Sequence, residues 1–579
     1  MTMLTKWGAA LDRSCPLPEY PRPQLRRESF YNLNGVWDYA VTPSGDEPEV
    51  WDGEIVVPFS PEAPLSGAAR GPAKDEYLHY RRGFTLPEGF QKSRVLLHFG
   101  AVDQIAEVFV NGVSAAKHSG GYWPFSADIT SLLREGENIL RVTVRDNADD
   151  PTFAYGKQRY KRGGMWYTAQ SGIWQTVWLE SVPEVYVKSL RITPEFDEAR
   201  VRIELETALE SSAAITCDVR AADGSFVAGS WAKGGVCVVP LPGFRAWTPD
   251  DPYLYTLDIT CGEDHVESYF AMRKFSYVEL DGHKVFGLNN APLFHNGLLD
   301  QGYYPDGLLT PPSDEAMVND IETIKRCGFN MLRKHIKIEP LRWYYHCDRL
   351  GMIVWQDMVS GGQPYSFLHV SALPTLGKVD LPDQDAKPYG RSGVLSRARF
   401  RREMADTVRL LYNCPCIALW TVFNEGWGQF DALDMANELK KLDPTRFIDH
   451  ASGWQDQGYE EMKSRHIYFR PVKLKNDGRA LALTEYGGYI LAVDGHRWTD
   501  KVFGYRICRN SAALAHDYEK LMLGQVLPHI RKEGLTAAVY TQITDVEEEL
   551  NGLMTYDRKV LKIPEETLRE INAALRFDA

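Results

Sequence analysis

The feature that most constrains this chain is a change of rhythm near residue 276. From there on, apolar strand-like runs alternate with amphipathic helical ones. The candidate strands are Leu293-Phe294-His295, Phe329 to Leu332, Met352 to Trp355, Cys416 to Phe423, Arg446 to Ile448, His466 to Tyr468, Leu481 to Leu483 and Ala537 to Tyr540. Helical patterns lie between most of them, at Asp314 to Cys327, Pro340 to Leu350 and Arg397 to Tyr412. Eight strand-then-helix units predict a (β/α)8 TIM barrel over residues 276–579. The connecting helices are weakest in the fifth and sixth units. In such a barrel the functional residues stand at the C-terminal ends of the strands.

Before the change of rhythm, the sequence reads as β structure. Val95 to Phe99, Ala106 to Val110 and Leu140 to Val144 alternate apolar and polar residues, and Asn111-Gly112 is a hairpin signal. A second β block covers 184–275, with runs at Val201 to Leu205 and Ala214 to Val219. It closes on Trp247-Thr248-Pro249 and Asp251 to Tyr255, and its size fits an immunoglobulin-like sandwich. A chain of 579 residues exceeds one hydrophobic core, so a multidomain protein is expected.

The 78 acidic and 65 basic residues give a net charge of −13 with no basic tail, which argues against a nucleic-acid partner. No apolar stretch has the length of a membrane span, and the opening residues lack a secretory pattern. The nine cysteines are scattered, and Cys414-Pro415-Cys416 has the wrong spacing for a zinc knuckle. Reduced thiols in a soluble cytoplasmic protein are therefore expected. No phosphate-binding glycine loop or metal-ligand cluster stands out, so neither cofactor nor metal is expected. A homo-oligomer is left open.

Two strand ends carry chemistry. Asn424-Glu425-Gly426-Trp427-Gly428 follows the fourth run, and Glu485-Tyr486-Gly487-Gly488 follows the seventh. Cleavage of a glycosidic bond needs one carboxylic acid to protonate the leaving oxygen and a second carboxylate across the sugar. Two glutamates at one barrel mouth supply that pair, and Asn424 is placed to bond the sugar 2-hydroxyl. A solvated end-cap would account for either glutamate alone, but less readily for both.

At this point the chain resembles glycoside hydrolase family 2, the family of β-galactosidases, β-glucuronidases and β-mannosidases, over nearly its whole length. The resemblance rests on Tyr20 to Pro23, Leu33 to Trp37, Ser171 to Gln175, Trp247 to Tyr255, Leu332 to His335, Asn424-Glu425 and Glu485. It implies a jelly-roll sugar-binding domain at 1–183, an immunoglobulin-like domain at 184–275 and the catalytic barrel at 276–579. Glu425 then corresponds to the acid/base and Glu485 to the nucleophile of a retaining enzyme that takes an oligosaccharide or simpler glycoside. Arg333 and His335 are expected to orient Glu485 and line the sugar site. Trp355, Trp427 and Trp498 are candidates for stacking on a sugar face. Asp300, Asp357, His466 and Tyr468 complete the substrate-side residues.

The chain also departs from that family. Glu549 to Met554 lacks the Asn-x-Lys pair by which the family's glucuronidases hold a carboxylate, since no lysine stands two places after Asn551. Ser464 replaces an aspartate, and Arg470 is an added cation able to grip a uronate. A β-galactosidase is thus the first expectation, with a uronidase using Arg470 as the alternative. Arabinosides and galactofuranosides stay open. A carbohydrate-binding protein without catalysis is the reading from another class. The presence of both glutamates and Asn424 weakens it.

Overall fold

The computed structural model describes residues 3–209, 214–377 and 380–578. The N-terminal part is a jelly roll of two antiparallel sheets, one of six strands and one of four. Trp37, Tyr80, Leu97 and Val142 are among the side chains packed between them. Asn111 (φ 51°) and Gly112 (φ 82°) join strands Ile105–Val110 and Val113–Ser119. Both turn residues are left-handed, as a two-residue hairpin turn requires. A sandwich of three plus four strands follows, from Val187–Glu195 to Asp264–Phe270, over a core that includes Val201, Val219 and Leu257.

The rest is the barrel. Its strands are β1 (His295–Asp300), β2 (Met331–Lys334), β3 (Ile353–Asp357), β4 (Ile417–Thr421), β5 (Phe447–Asp449), β6 (Met462–Ile467), β7 (Ala480–Gly487) and β8 (Leu535–Thr541). Each overlaps or adjoins one of the runs read from the sequence. The helix patterns also hold, as α1 (Asp314–Arg326), α2 (Leu341–Leu350) and α3 (Val394–Leu411). Helix α1 starts on a Ser313 side chain that accepts from the Ala316 amide, and it carries acids in its first turn and bases in its last.

Two expected units differ. Among the described residues no helix lies between β5 and β6 or between β6 and β7, and the strand ladder runs β5-β4-β3-β2-β1-β8-β7-β6 without closing between β5 and β6. Strand β5 has three residues, all paired with β4. Side chains bridge the seam instead: Ser464 Oγ donates to Asp449 Oδ1 (2.9 Å), and the Ile448 amide to Glu461 Oε2 (3.1 Å). Ser464, where an aspartate was expected, is one of these bridges.

The hairpin Phe275–Leu280 and His283–Leu288 plugs the N-terminal mouth of the barrel. Phe286 stacks on Phe447 with centroids 4.2 Å apart and meets Trp355 edge-on. All nine cysteines are free thiols, and only Cys15 is exposed. No helix among the described residues is long and apolar enough to cross a membrane.

Candidate active site

Alternation along the barrel strands sorts side chains into layers, because residues two apart share a face. Ile353, Trp355 and Asp357 follow one another up β3, as Met331 and Arg333 do on β2, Met462, Ser464 and His466 on β6, and Ala537, Val539 and Thr541 on β8. The lower members form an apolar cluster above the plug. The upper members are polar and ring the C-terminal mouth. Strand β7 breaks the alternation. Its register slips between Leu483 and Tyr486 against β8, and His466 of β6 pairs with Glu485 after Arg465 has paired with Leu483. The extra residue is a bulge, which lets Thr484 and Glu485 both face inward.

Arg333 is the hub of this layer. It is fully buried, and its guanidinium holds Asp357 through two bonds of 3.0 Å. It also donates to Glu485 Oε1 (3.1 Å), Asn424 Oδ1 (2.8 Å) and the Thr484 carbonyl (3.1 Å). Such a planar donor fork fixes several acceptors at once. Tyr468 donates to Glu485 Oε2 (2.6 Å), so both oxygens of that carboxylate are held. The bond to Arg333 commits Asn424's oxygen and leaves its amide NH2 for another partner.

Between the two glutamates stands His466. Its Nδ1 lies 2.8 Å from Glu425 Oε1 and 3.5 Å from Glu485 Oε2. One atom from each of the three side chains falls within 4.8 Å of the others. That is also metal-ligand spacing, yet the Arg333 guanidinium already holds Glu485, and a second cation beside it would be repelled.

Burial sets the protonation states. It raises the Glu425 carboxyl to about 7, against the pull of Lys157 and Arg333. It also raises Glu485, opposed by His466, Arg333 and the Tyr468 hydroxyl. Burial lowers His466 to about 4 and His335 to about 3, so both rings are neutral near pH 7. Two carboxyls this close, one held by a cation and one without, are driven to different protonation states.

The sharp turn after β4 explains the local sequence. Glu425 adopts φ 56°, an uncommon value for a residue with a side chain. Its amide is tied to the Ser452 carbonyl (2.9 Å), and its own carbonyl accepts from Trp454 Nε1 (2.8 Å). Gly428 (φ 69°) must be glycine, because a Cβ there would stand 2.9 Å from Ser360 Oγ and 3.0 Å from the Gly361 carbonyl oxygen. Glu425 keeps 22% of its side-chain surface exposed, while Glu485 keeps 6%. The former therefore opens toward the mouth.

The structure gathers Asn424, Glu425, Glu485, Arg333, Asp357, His466 and Tyr468 around one point. His335 stands beside them but bonds Asp357 (2.8 Å), not Glu485. Other candidates lie elsewhere. Trp355 is fully buried one layer lower and donates to His295 Nδ1 (3.1 Å), so it offers no face to a sugar. Asp300 is buried in an ion pair with Lys334 (2.6 Å) and caps the Gly302 amide (2.8 Å), which gives each of its oxygens a partner within the protein. Arg470 is exposed, and its guanidinium lies against Gly377 on the neighbouring loop. Trp498 is covered by Arg162 at 4.2 Å, and Trp427 is wedged against Tyr155 and Trp166.

What the sequence reading missed is a strap from the jelly roll, residues 153–168, laid across the barrel mouth. Tyr155 and Gly156 donate to the Ser360 carbonyl (3.1 and 2.9 Å), and Tyr155 Oη to that of Gly362 (2.8 Å). Gly164 and Thr168 amides donate to Glu548 and Glu547 (2.9 and 2.8 Å), and Tyr167 Oη to Glu549. Its signal was present as basic residues interleaved with aromatics from Tyr155 to Trp166, unlike the alternating strands around it.

The chain matches three family models: "Glycosyl hydrolases family 2, sugar binding domain" over 64–183, "Glycosyl hydrolases family 2" over 185–273 and "Glycosyl hydrolases family 2, TIM barrel domain" over 310–474. It is 25% identical to a β-galactosidase of Thermoanaerobacter pseudethanolicus, across 63% of this chain and 47% of that one. It is 22% identical to a β-glucuronidase of Paenibacillus borealis, across 82% and 85%. The chain spans less than half the length of the first curated relatives it matches. Among solved structures, an uncultured Clostridium sp. β-glucuronidase superposes with a TM-score of 0.75 at 19% identity, covering 95% of this chain and 99% of that one.

Proposed function

The chain belongs to glycoside hydrolase family 2, and on that footing we propose that it is a retaining exo-β-glycosidase with Glu425 as acid/base and Glu485 as nucleophile. The observation that supports it is the spacing of the two carboxyls, within 4.8 Å through His466. Retaining enzymes hold the pair at about 5 Å, whereas inverting enzymes need room for a water between them.

In the first step Glu425, protonated because burial raises it to about 7, gives its proton to the glycosidic oxygen. Glu485, oriented by Arg333 and Tyr468, attacks the anomeric carbon. The bond from that carbon to the glycosidic oxygen breaks, the aglycone leaves as an alcohol, and a glycosyl ester forms. Asn424, its oxygen anchored on Arg333, offers its amide to the 2-hydroxyl, a contact that strengthens in the transition state. In the second step Glu425 takes a proton from water, which displaces Glu485 and restores both groups. Each displacement inverts the anomeric carbon, so the product keeps the β configuration. The sugar belongs to the galactose series expected from the sequence or to the uronic series that the glucuronidase relatives carry in their names.

The test is Glu425→Gln and Glu485→Gln on aryl β-glycosides with good and poor leaving groups. Glu425→Gln should spare the good leaving group, which needs no proton, and Glu485→Gln should lose both. Wild-type turnover by either variant on every substrate would refute the assignment, as would an inverted product by NMR.

A further inference from the structure

Lys157 lies at the crest of the strap, where the jelly roll comes closest to the barrel. Gly156 before it turns with φ 63°, and a Cβ there would stand 3.0 Å from the Ile336 carbonyl oxygen. The backbone thus passes directly against the residue that follows His335. On the other side the Lys157 carbonyl accepts from the Tyr167 amide (2.9 Å), and the Gly156 amide is tied to Ser360. Lys157 is held between the ends of β2 and β3.

Several other cations around the mouth are occupied. Arg333 is shared among Asp357, Asn424 and Glu485. Arg159 lies over the Trp166 ring at 4.4 Å, and Arg162 over Trp498. Lys334 and Lys337 are buried against Glu339, at 2.8 Å each. Lys562 holds Asp545 (2.6 Å). Lys157 is half-buried, and among the described residues no carboxylate stands at ion-pair distance from it. Its charge favours the ionised form of Glu425 and the neutral rings of His335 and His466, in keeping with a backbone held where β2 and β3 open into the mouth.

A neutral sugar filling that space would strip water from the ammonium and return only hydroxyl bonds. A carboxylate would return a full opposite charge. The alternatives for holding one are weak here: Arg470 faces solvent, and Asn551 is buried against Gln542 (2.8 Å). Resting on the reading of the chain as a retaining glycosidase, we propose that Lys157 is a specificity-determining residue that grips the carboxylate of a β-uronide. The glycone would then be recognised by a side chain of the jelly roll.

The test uses the full chain with para-nitrophenyl β-glucuronide, β-galacturonide and the two hexosides that match them at C4. The parent should favour a uronide over its hexoside. Lys157→Met should cut the uronide-to-hexoside ratio of kcat/KM by about tenfold or more, the scale of one charged hydrogen bond, and Lys157→Arg should restore part of it. An unchanged ratio in a Lys157→Met protein that melts like the parent would overturn the assignment, as would a parent that favours the hexosides. In either case the glycosidase reading would stand. If none of the four is cleaved, the Lys157 assignment falls, and arabinosides and galactofuranosides test the glycosidase reading by itself. Without any variant, free glucuronate should inhibit the parent about tenfold more tightly than glucose. Equal inhibition would overturn the proposal.

Discussion

His466 Nδ1 stands 2.8 Å from an oxygen of Glu425 and 3.5 Å from one of Glu485, so a single neutral ring separates the two carboxyls. Its other nitrogen lies 3.2 Å from Ser452 Oγ, which fixes the ring plane. The charge of Glu425 bears on Glu485 across that ring and raises its carboxyl.

The first consequence concerns pH. With Glu425 as the proposed acid, catalysis needs it protonated, and burial raises that group to about 7, so kcat/KM should fall as pH rises through that region. Lys157 favours the ionised form, hence Lys157→Met should move this basic limb upward. A limb that stays put or moves down in a pH profile would contradict the arrangement.

The same group affects stability, with the opposite sign from a paired acid. Its folded pKa lies above the unfolded one, so ionising it costs stability as pH rises from about 4.5 to about 7. Glu425→Gln removes that cost. It should stabilise the protein by about 1–3 kcal/mol at pH 8 and by little at pH 4. Melting scans at the two pH values check the difference.

Arg333→Met would leave Asp357 and Glu485 buried without their shared cation. Breaking a buried pair in this way costs about 3–5 kcal/mol, and the loss of Glu485 orientation should lower kcat by about 100-fold or more. Thermal melts and steady-state kinetics read the two effects separately.

Tyr468→Phe removes one bond from Glu485 and keeps the ring that stacks on Tyr505 at 3.8 Å. Glu485 then loses a group that holds its pKa down, so the acidic limb of kcat/KM should move to higher pH. An acidic limb at the parent position would show that the hydroxyl does not reach the carboxylate during turnover.

Trp355→Ala tests a boundary of the site. The indole belongs to the apolar layer below it, so the change should cost about 3–5 kcal/mol of stability as a core cavity. Any KM change should disappear at temperatures where the variant is folded. A KM raised in the folded variant would return Trp355 to the sugar site.

These outcomes mark how far the sequence could be read. Apolar runs ending in Asn424-Glu425 and Thr484-Glu485 are local patterns, and they placed the strands and the two carboxyls. Trp355 and Asp357 look alike to such a reading, being two apart on one inward face. Only the depth of the layer separates a core indole from a site carboxylate. The β7 bulge, the seam beside β5 and the docking of the strap depend on pairings between distant segments; the strap's basic and aromatic residues stand out locally, but not what they lie against. Lys157 was hidden for the same reason: Ile336 and Ser360, between which its backbone is held, are more than a hundred residues away.

The strap has a consequence for how activity is gained. One wall of the mouth comes from a different folding unit, and domains of a long chain generally fold as units before they dock. On dilution from denaturant, barrel structure should return before turnover does. The lag should be set by docking of residues 153–168 onto Ser360 and Glu547 to Glu549. Competence in this molecule is therefore a property of the assembled chain, acquired at its final rearrangement.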